Sequence, residues 1–121
     1  MSARLYTRIA SVSLQWFAQN AAARPLRYFS GSEWTAVRGL PRRSAAGLLA
    51  VKYAVAGLLK ETGYAARSGP RSVAVSYVKN GPPVLRRPAS AVGRLALSVT
   101  HTRGTAYGLA ALMESDGGND A

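Results

Sequence analysis

The chain carries one histidine, His101, directly after the alternating stretch Leu95 to Thr100. An imidazole there can act as a general base or as a contact to phosphate. The plain alternative is a strand-end histidine bonded to backbone. Carboxylates are scarce: of the five, Glu114, Asp116 and Asp120 fall in the last eight residues, leaving Glu33 and Glu61 for the body. A carboxylate pair for acid–base work within one folded subunit is therefore nearly out of reach. Hard divalent cations want oxygen ligands, usually one or two carboxylates beside substrate phosphates, and both of these acids have structural readings. Ser30 and Glu33 have capping-box spacing behind Phe29, so Glu33 reads as a helix cap. Glu61 falls in a last helical turn, against the macrodipole, and reads as solvated surface. With no cysteine, disulfides, thiolate catalysis and zinc–thiolate sites are excluded.

The positive charge is concentrated. All sixteen Lys and Arg lie between Arg4 and Arg103; less Glu33 and Glu61, they give residues 1–113 a net +14. A body this basic needs an acidic partner, counter-ions or its own tail. Nucleic acid, anionic nucleotides and acidic proteins are all candidates. Thirteen of the sixteen are Arg, which suits bidentate phosphate and carboxylate contacts, although a GC-rich genome enriches Arg too. Arg38, Arg42, Arg43, Arg86 and Arg87 would form a basic surface, either for a partner or as ordinary solvated charge. No apolar run approaches the ~20 residues that cross a bilayer, and Arg4 and Arg8 interrupt any leader. A soluble, cytoplasmic protein with no membrane partner is the expectation.

The elements that must position these groups follow from periodicity. Arg42 to Gly63 is the longest stretch without a breaker stronger than one glycine. Leu48, Val51, Val55, Leu58 and Leu59 fall on one helical face, and Gly63 follows as a C′ residue. This predicts a central helix. Leu5 to Phe17 reads as a strand with Ile9 on one face and Ala10, Val12 and Leu14 on the other. Gln19 to Leu26 reads as a short helix or loop stopped by Pro25, and a capped helix should run from Ser30 to Val37. Ser72 to Val78 is β-branched and alternating. Asn80-Gly81-Pro82-Pro83 is a turn, with a returning strand to Arg86-Arg87. Leu95 to Thr100 and Thr105 to Met113 are strands joined tightly through His101 to Gly104. One domain, 1–113, and a disordered acidic tail, 114–121, are expected. The order predicts an α+β fold, a mostly antiparallel sheet packed on one long helix and a shorter one.

This order resembles the holo-acyl-carrier-protein synthase family, the small 4′-phosphopantetheinyl transferases, on five stretches. Arg8 to Phe17 (RIASVSLQWF) lies over the family's G-I-D-x-V-E-x-x-R-F strand, and Phe29-Ser30-Gly31-Ser32-Glu33 resembles F-(S/T)-x-x-E. Ala50 to Gly57 (AVKYAVAG) lies over A-A-K-E-A-x-x-K, and Asn80 to Pro83 resembles the N-G-x-P hairpin. Leu97 to Thr102 resembles S-(I/V/L)-(S/T)-H, with Ala106 to Ala111 as the alternating final strand. The resemblance runs from about residue 5 to residue 113. It implies a phosphopantetheinyl-transferase-like fold, coenzyme A or phosphopantetheine as ligand, an acidic acyl carrier protein as partner, and trimers with sites between subunits.

The departures are concentrated at one place. The family's magnesium ligands, an Asp and a Glu, correspond here to Ala10 and Tyr53. The second helix Lys corresponds to Gly57, the Glu and Arg of the first strand to Ser13 and Trp16, and an Arg before the helix motif falls near Leu48. Transfer from coenzyme A needs a metal or an equivalent clamp on the developing charge, so transferase activity is expected to be lost, with no metal site, no magnesium and no required cofactor. The resemblance marks His101 and Tyr53 as metal-independent acid–base groups. It marks Lys52, Gly81, Pro83, His101 and Thr102 as contacts to the cofactor. The five arginines named above become the carrier-binding surface. Each has a plainer reading: Tyr53 as packing, Lys52 as a snorkelling surface lysine, Gly81 and Pro83 as hairpin formers. Trp16, Phe17 and Trp34 could line a cavity for an acyl chain, or belong to the core. The expected function is a diverged protein that binds an acyl carrier protein and acts on, or shields, its acyl or polyketide chain in fatty-acid or secondary-metabolite biosynthesis. An active synthase, a non-catalytic scaffold subunit and a basic nucleic-acid-binding protein are the alternatives.

Overall fold

A computed structural model describes residues 3–63, 69–77 and 81–115. The expected central helix is α3, Arg42–Thr62, closed by Gly63 in the left-handed conformation at φ 82°. Glycine takes that conformation without a Cβ penalty, which ends the helix there. All five residues of the anticipated apolar face are buried, each contributing about 1.5–3 kcal/mol relative to exposure. Around them Ala45, Ala46, Ala50, Ala54 and Ala56 are buried too, and their small side chains let neighbouring elements come close on several sides.

The strands form two antiparallel sheets. One has the order β1-β5-β4, from β1 (Ala3–Ser13), β4 (Leu95–His101) and β5 (Thr105–Ser115). The other pairs β2 (Ala74–Tyr77) with β3 (Pro83–Arg87). α3 lies on the inner face of the three-stranded sheet and against β2. Gly108 of β5 makes the closest approach: a Cβ there would fall within the Ala50–Val51 backbone. The opposite face of that sheet exposes Leu5, Ile9 and Met113; Leu5 pairs with Met113 across β1 and β5.

The first strand ends sooner than its alternation suggests. Ser13 caps a helical turn, α1 (Leu14–Trp16), by accepting from the Trp16 N–H. The chain then continues as a π-helix over Phe17–Ala21, and Pro25 opens a 3₁₀ turn rather than closing a helix. A local side-chain cap outcompetes the ladder there, which is why serine ends strands as readily as it sits in them. The capped helix is α2, Gly31–Val37. β5 runs to Ser115, two residues past the expected strand end, while residues 116–121 of the expected tail, and Asn80 of the expected turn, lie outside the described residues. Phe17 and Phe29 are core, and Trp16 and Trp34 pack on it. The rings contact edge-on or tilted, Trp16 on Tyr28 at 5.6 Å and Phe29 on Trp34 at 5.7 Å.

Candidate functional site

Three elements meet at a cleft of about 730 Å³. The first turn of α3 supplies Arg43 and Ser44, the β2–β3 connection supplies Gly81 and Pro82, and β4 supplies Val99 and His101. Gly47 sets the spacing. A Cβ there would stand 2.5 Å from a Val99 methyl, so only a glycine lets β4 lie this close to α3 and bring His101 beside Arg43. Tyr77 fixes the third wall: its O–H donates to the Ser44 carbonyl at 2.9 Å. Burial pushes that phenol above its ordinary value.

Arg43 and His101 are exposed at the mouth. Arg42 and Arg43 open α3 behind Pro41, with no side-chain cap. Two cations at the positive end of a helix oppose its macrodipole, at about 0.3–1 kcal/mol each. That placement does nothing for the helix and concentrates positive potential at the cleft.

Of the residues singled out in the sequence, the cleft gathers Arg43, Gly81 and His101. Pro83 is buried as the first residue of β3, paired with Tyr77. Thr102 turns away into the β4–β5 connection, where its N–H donates to the Thr105 carbonyl at 2.8 Å. Tyr53 does not line the cleft; it lies two and a half turns beyond Ser44 on α3, half-buried against the core. Burial, reinforced by nearby Tyr28, raises its phenol above the ordinary value. Arg38 and Arg42 are exposed but do not line the cleft, and Arg86 and Arg87 are exposed on β3.

Lys52 does not snorkel. It is fully buried, its ammonium 2.5 Å from Glu33 Oε1 and 2.7 Å from the Val73 carbonyl, both of which it donates to. The Phe29 ring lies 5.2 Å away. Burial lowers its pKa, against the pull of Glu33. Glu33 is more than a cap. Its Oε1 also accepts from the Ser30 N–H at 2.9 Å, and its Oε2 from the Val75 N–H at 3.0 Å. One carboxylate thus ties α2, α3 and β2 together. The sequence signal for this was available: Glu33 is the only acid before position 61, and a buried lysine needs one.

Arg8 shares the inner face of β1 with Ala10 and lays its guanidinium across Gly57, one helical turn after Tyr53. Its Nη2 donates to the Gly57 carbonyl at 3.3 Å, and a Cβ at Gly57 would stand 2.7 Å from its Nε. Among the described residues no three His, Cys, Asp or Glu side chains gather as metal ligands.

No protein-family model matches the chain, and no curated protein does. Solved structures do. The Chronobacterium ammoniagenes ACPS–CoA complex is similar with a TM-score of 0.72 at 20% identity, over 93% of this chain and 99% of that one. The holo-(acyl-carrier-protein) synthase of Bacillus anthracis in complex with CoA gives 0.70 at 20% identity, over 90% and 96%. The Mycobacterium tuberculosis acyl carrier protein synthase gives 0.63 at 24%, over 91% and 96%. This chain therefore has the fold of the holo-acyl-carrier-protein synthases, along nearly its whole length.

Proposed function

We propose that this chain is a phosphopantetheinyl-transferase-like protein that binds an acidic acyl carrier protein. It acts on, or shields, the acyl or polyketide chain tethered to the carrier's phosphopantetheine, without a metal and without transferring the pantetheine group. The observation that carries this reading is the cleft setting Arg43, Gly81 and His101 around one opening, in the fold of synthases solved with coenzyme A. Arg43 offers a planar fork of donors to a phosphate, and the α3 N-terminus adds to its field. Gly81 keeps the opposite wall low. His101 can donate to the same phosphate or take a proton from a bound group. The carrier's acidic helices would dock on Arg38, Arg42, Arg43, Arg86 and Arg87.

A methyl at Ala10, a half-buried phenol at Tyr53 and the Arg8 guanidinium do not fit magnesium, which wants anionic oxygens in octahedral array. The Tyr53 phenol suits the role of a hydrogen-bond donor. Because Tyr53 is well along α3 from the cleft, it would work with His101 only across a subunit boundary, in a homo-oligomer. The apolar outer face of the three-stranded sheet, with Leu5, Ile9 and Met113 exposed, supports such self-association; a trimer is the arrangement the resemblance implies. A cytoplasmic setting fits this partner. Among the described residues no helix is long and apolar enough to cross a membrane.

The test is to mix the purified protein with apo carrier protein, coenzyme A and magnesium, and weigh the carrier. No mass gain is expected, while carrier binding persists in EDTA and weakens with salt. A carrier that gains the pantetheine group would show an active synthase and overturn the reading.

A further inference from the structure

A second cavity, of about 740 Å³, lies between α2 and the β2–β3 hairpin. We propose that it binds a medium-length aliphatic chain ending in a carboxylate or phosphate, with Arg86 and Arg87 holding the anionic end. Its size falls within the range of small-molecule sites. The floor is apolar, from Val37, Leu40, Leu48 and Val75. Such a floor gains from a chain and offers nothing to a sugar or a base. Neutral polar groups line it on both sides, Ser30 and Ser32 at α2 and Ser76 and Tyr77 on β2, but its two cations, Arg86 and Arg87, stand together on β3.

The backbone places those arginines deliberately. Ala74 pairs with Arg87 and Val75 with Leu85, so Arg86 is the extra residue of a β-bulge. Strict alternation from buried Leu85 would turn Arg87 inward. The bulge leaves both arginines exposed, and bulges commonly re-aim side chains in this way. Among the described residues no carboxylate pairs with either one; Arg86 Nε donates to Ser76 Oγ at 2.8 Å, which steadies it at the rim. Glu33 also lines the cavity, but its oxygens are taken by Lys52, the Ser30 N–H and the Val75 N–H. The wall is therefore polar without a bare negative charge, and the rim stays net positive. This inference rests on the cavity and stands whether or not the cleft takes coenzyme A; a ligand held by Arg86 and Arg87 would compete with a carrier docked on them.

Calorimetric titration of the full chain with decyl phosphate, decanoate and decanol tests it. Saturable binding of the two anions is expected, with decanol at least about tenfold weaker, the worth of a charge-assisted hydrogen bond. Their ranking tells which head the rim prefers. The double substitution Arg86→Ala/Arg87→Ala should remove that advantage and leave decanol unchanged. Ala36→Trp, at an exposed α2 position that lines the cavity, should block all three ligands in a protein with unaltered thermal unfolding. Equal affinity for decanol, no saturable binding of either anion, or undiminished binding to the Ala36→Trp protein would overturn the proposal.

Discussion

Lys52 and Arg43 sit on the same helix and differ in everything around their charge. Lys52 is sealed in the core and donates to a carboxylate and a carbonyl, and Glu33 opposite it accepts from two further backbone groups. Arg43 stands at the mouth of a cleft, at the helix end where a cation is least welcome. The first arrangement is closed to a ligand by burial. The second is costly unless an anion arrives. Residue type does not separate these roles, since both are basic side chains on one helix. What separates them is whether the hydrogen-bonding groups are already spent.

The contrast breaks most visibly at the buried end. Lys52→Met leaves the Glu33 carboxylate buried without its cation and should destabilise the fold by about 3–5 kcal/mol in urea unfolding. Adding Glu33→Gln should recover part of this; a loss under about 1 kcal/mol for Lys52→Met would mean the pair is solvated. At the open end, Arg43→Ala should weaken coenzyme A binding about tenfold while unfolding stays within about 0.5 kcal/mol of the parent. A stability loss with unchanged binding would reverse the two roles. Ser30→Ala removes one acceptor from the node's edge, where Ser30 Oγ accepts from the Glu33 N–H at 3.2 Å. It should cost about 1 kcal/mol and leave binding at the Arg43 cleft untouched, since Ser30 does not line it.

The smallest effect is a slope with pH. Burial lowers the folded-state pKa of Lys52 below the ordinary lysine value of 10.5. Between that lowered value and 10.5 the unfolded chain binds the extra proton, so stability rises with pH across the window. The parent protein should therefore gain on Lys52→Met as pH climbs toward 10.5. A flat difference would mean that Glu33 offsets the burial in full. Tyr53 and Tyr77, whose pKa values are raised, act in the opposite sense above pH 10, which is why the difference between the two proteins is the quantity to follow.

Much of the fold was legible because it rests on local rules. The α3 bounds follow from a long apolar period and a glycine at the C′ position, and the α2 start follows from Ser30 and Glu33. The misplaced boundary at Ser13 was a contest between two local options, an extended ladder and a serine cap, that alternation alone does not decide. The candidate site was legible only in part. Arg43, Gly81 and His101 were each singled out, but Tyr77 was not, and Ser44 carries no side-chain signal for a role played by its carbonyl. The sequence puts Lys52 on the right helix but leaves its surroundings open between a cofactor contact and a snorkelling surface lysine; a snorkelling lysine and a buried one have the same neighbours in sequence, and only the partner 19 residues upstream distinguishes them.

By itself the sequence determined where the central helix starts and stops, the strand order's antiparallel character, and a body with only two carboxylates, Glu33 and Glu61. Those are properties of spacing and composition. The tertiary structure decided which charges are spent and which remain open, because that depends on groups far apart in the chain meeting within hydrogen-bond distance. It also decided that Gly47 and Gly108 are points of close approach, and that a bulge turns two arginines the same way. Each of these is fixed by what stands opposite, and no residue's own type reports that.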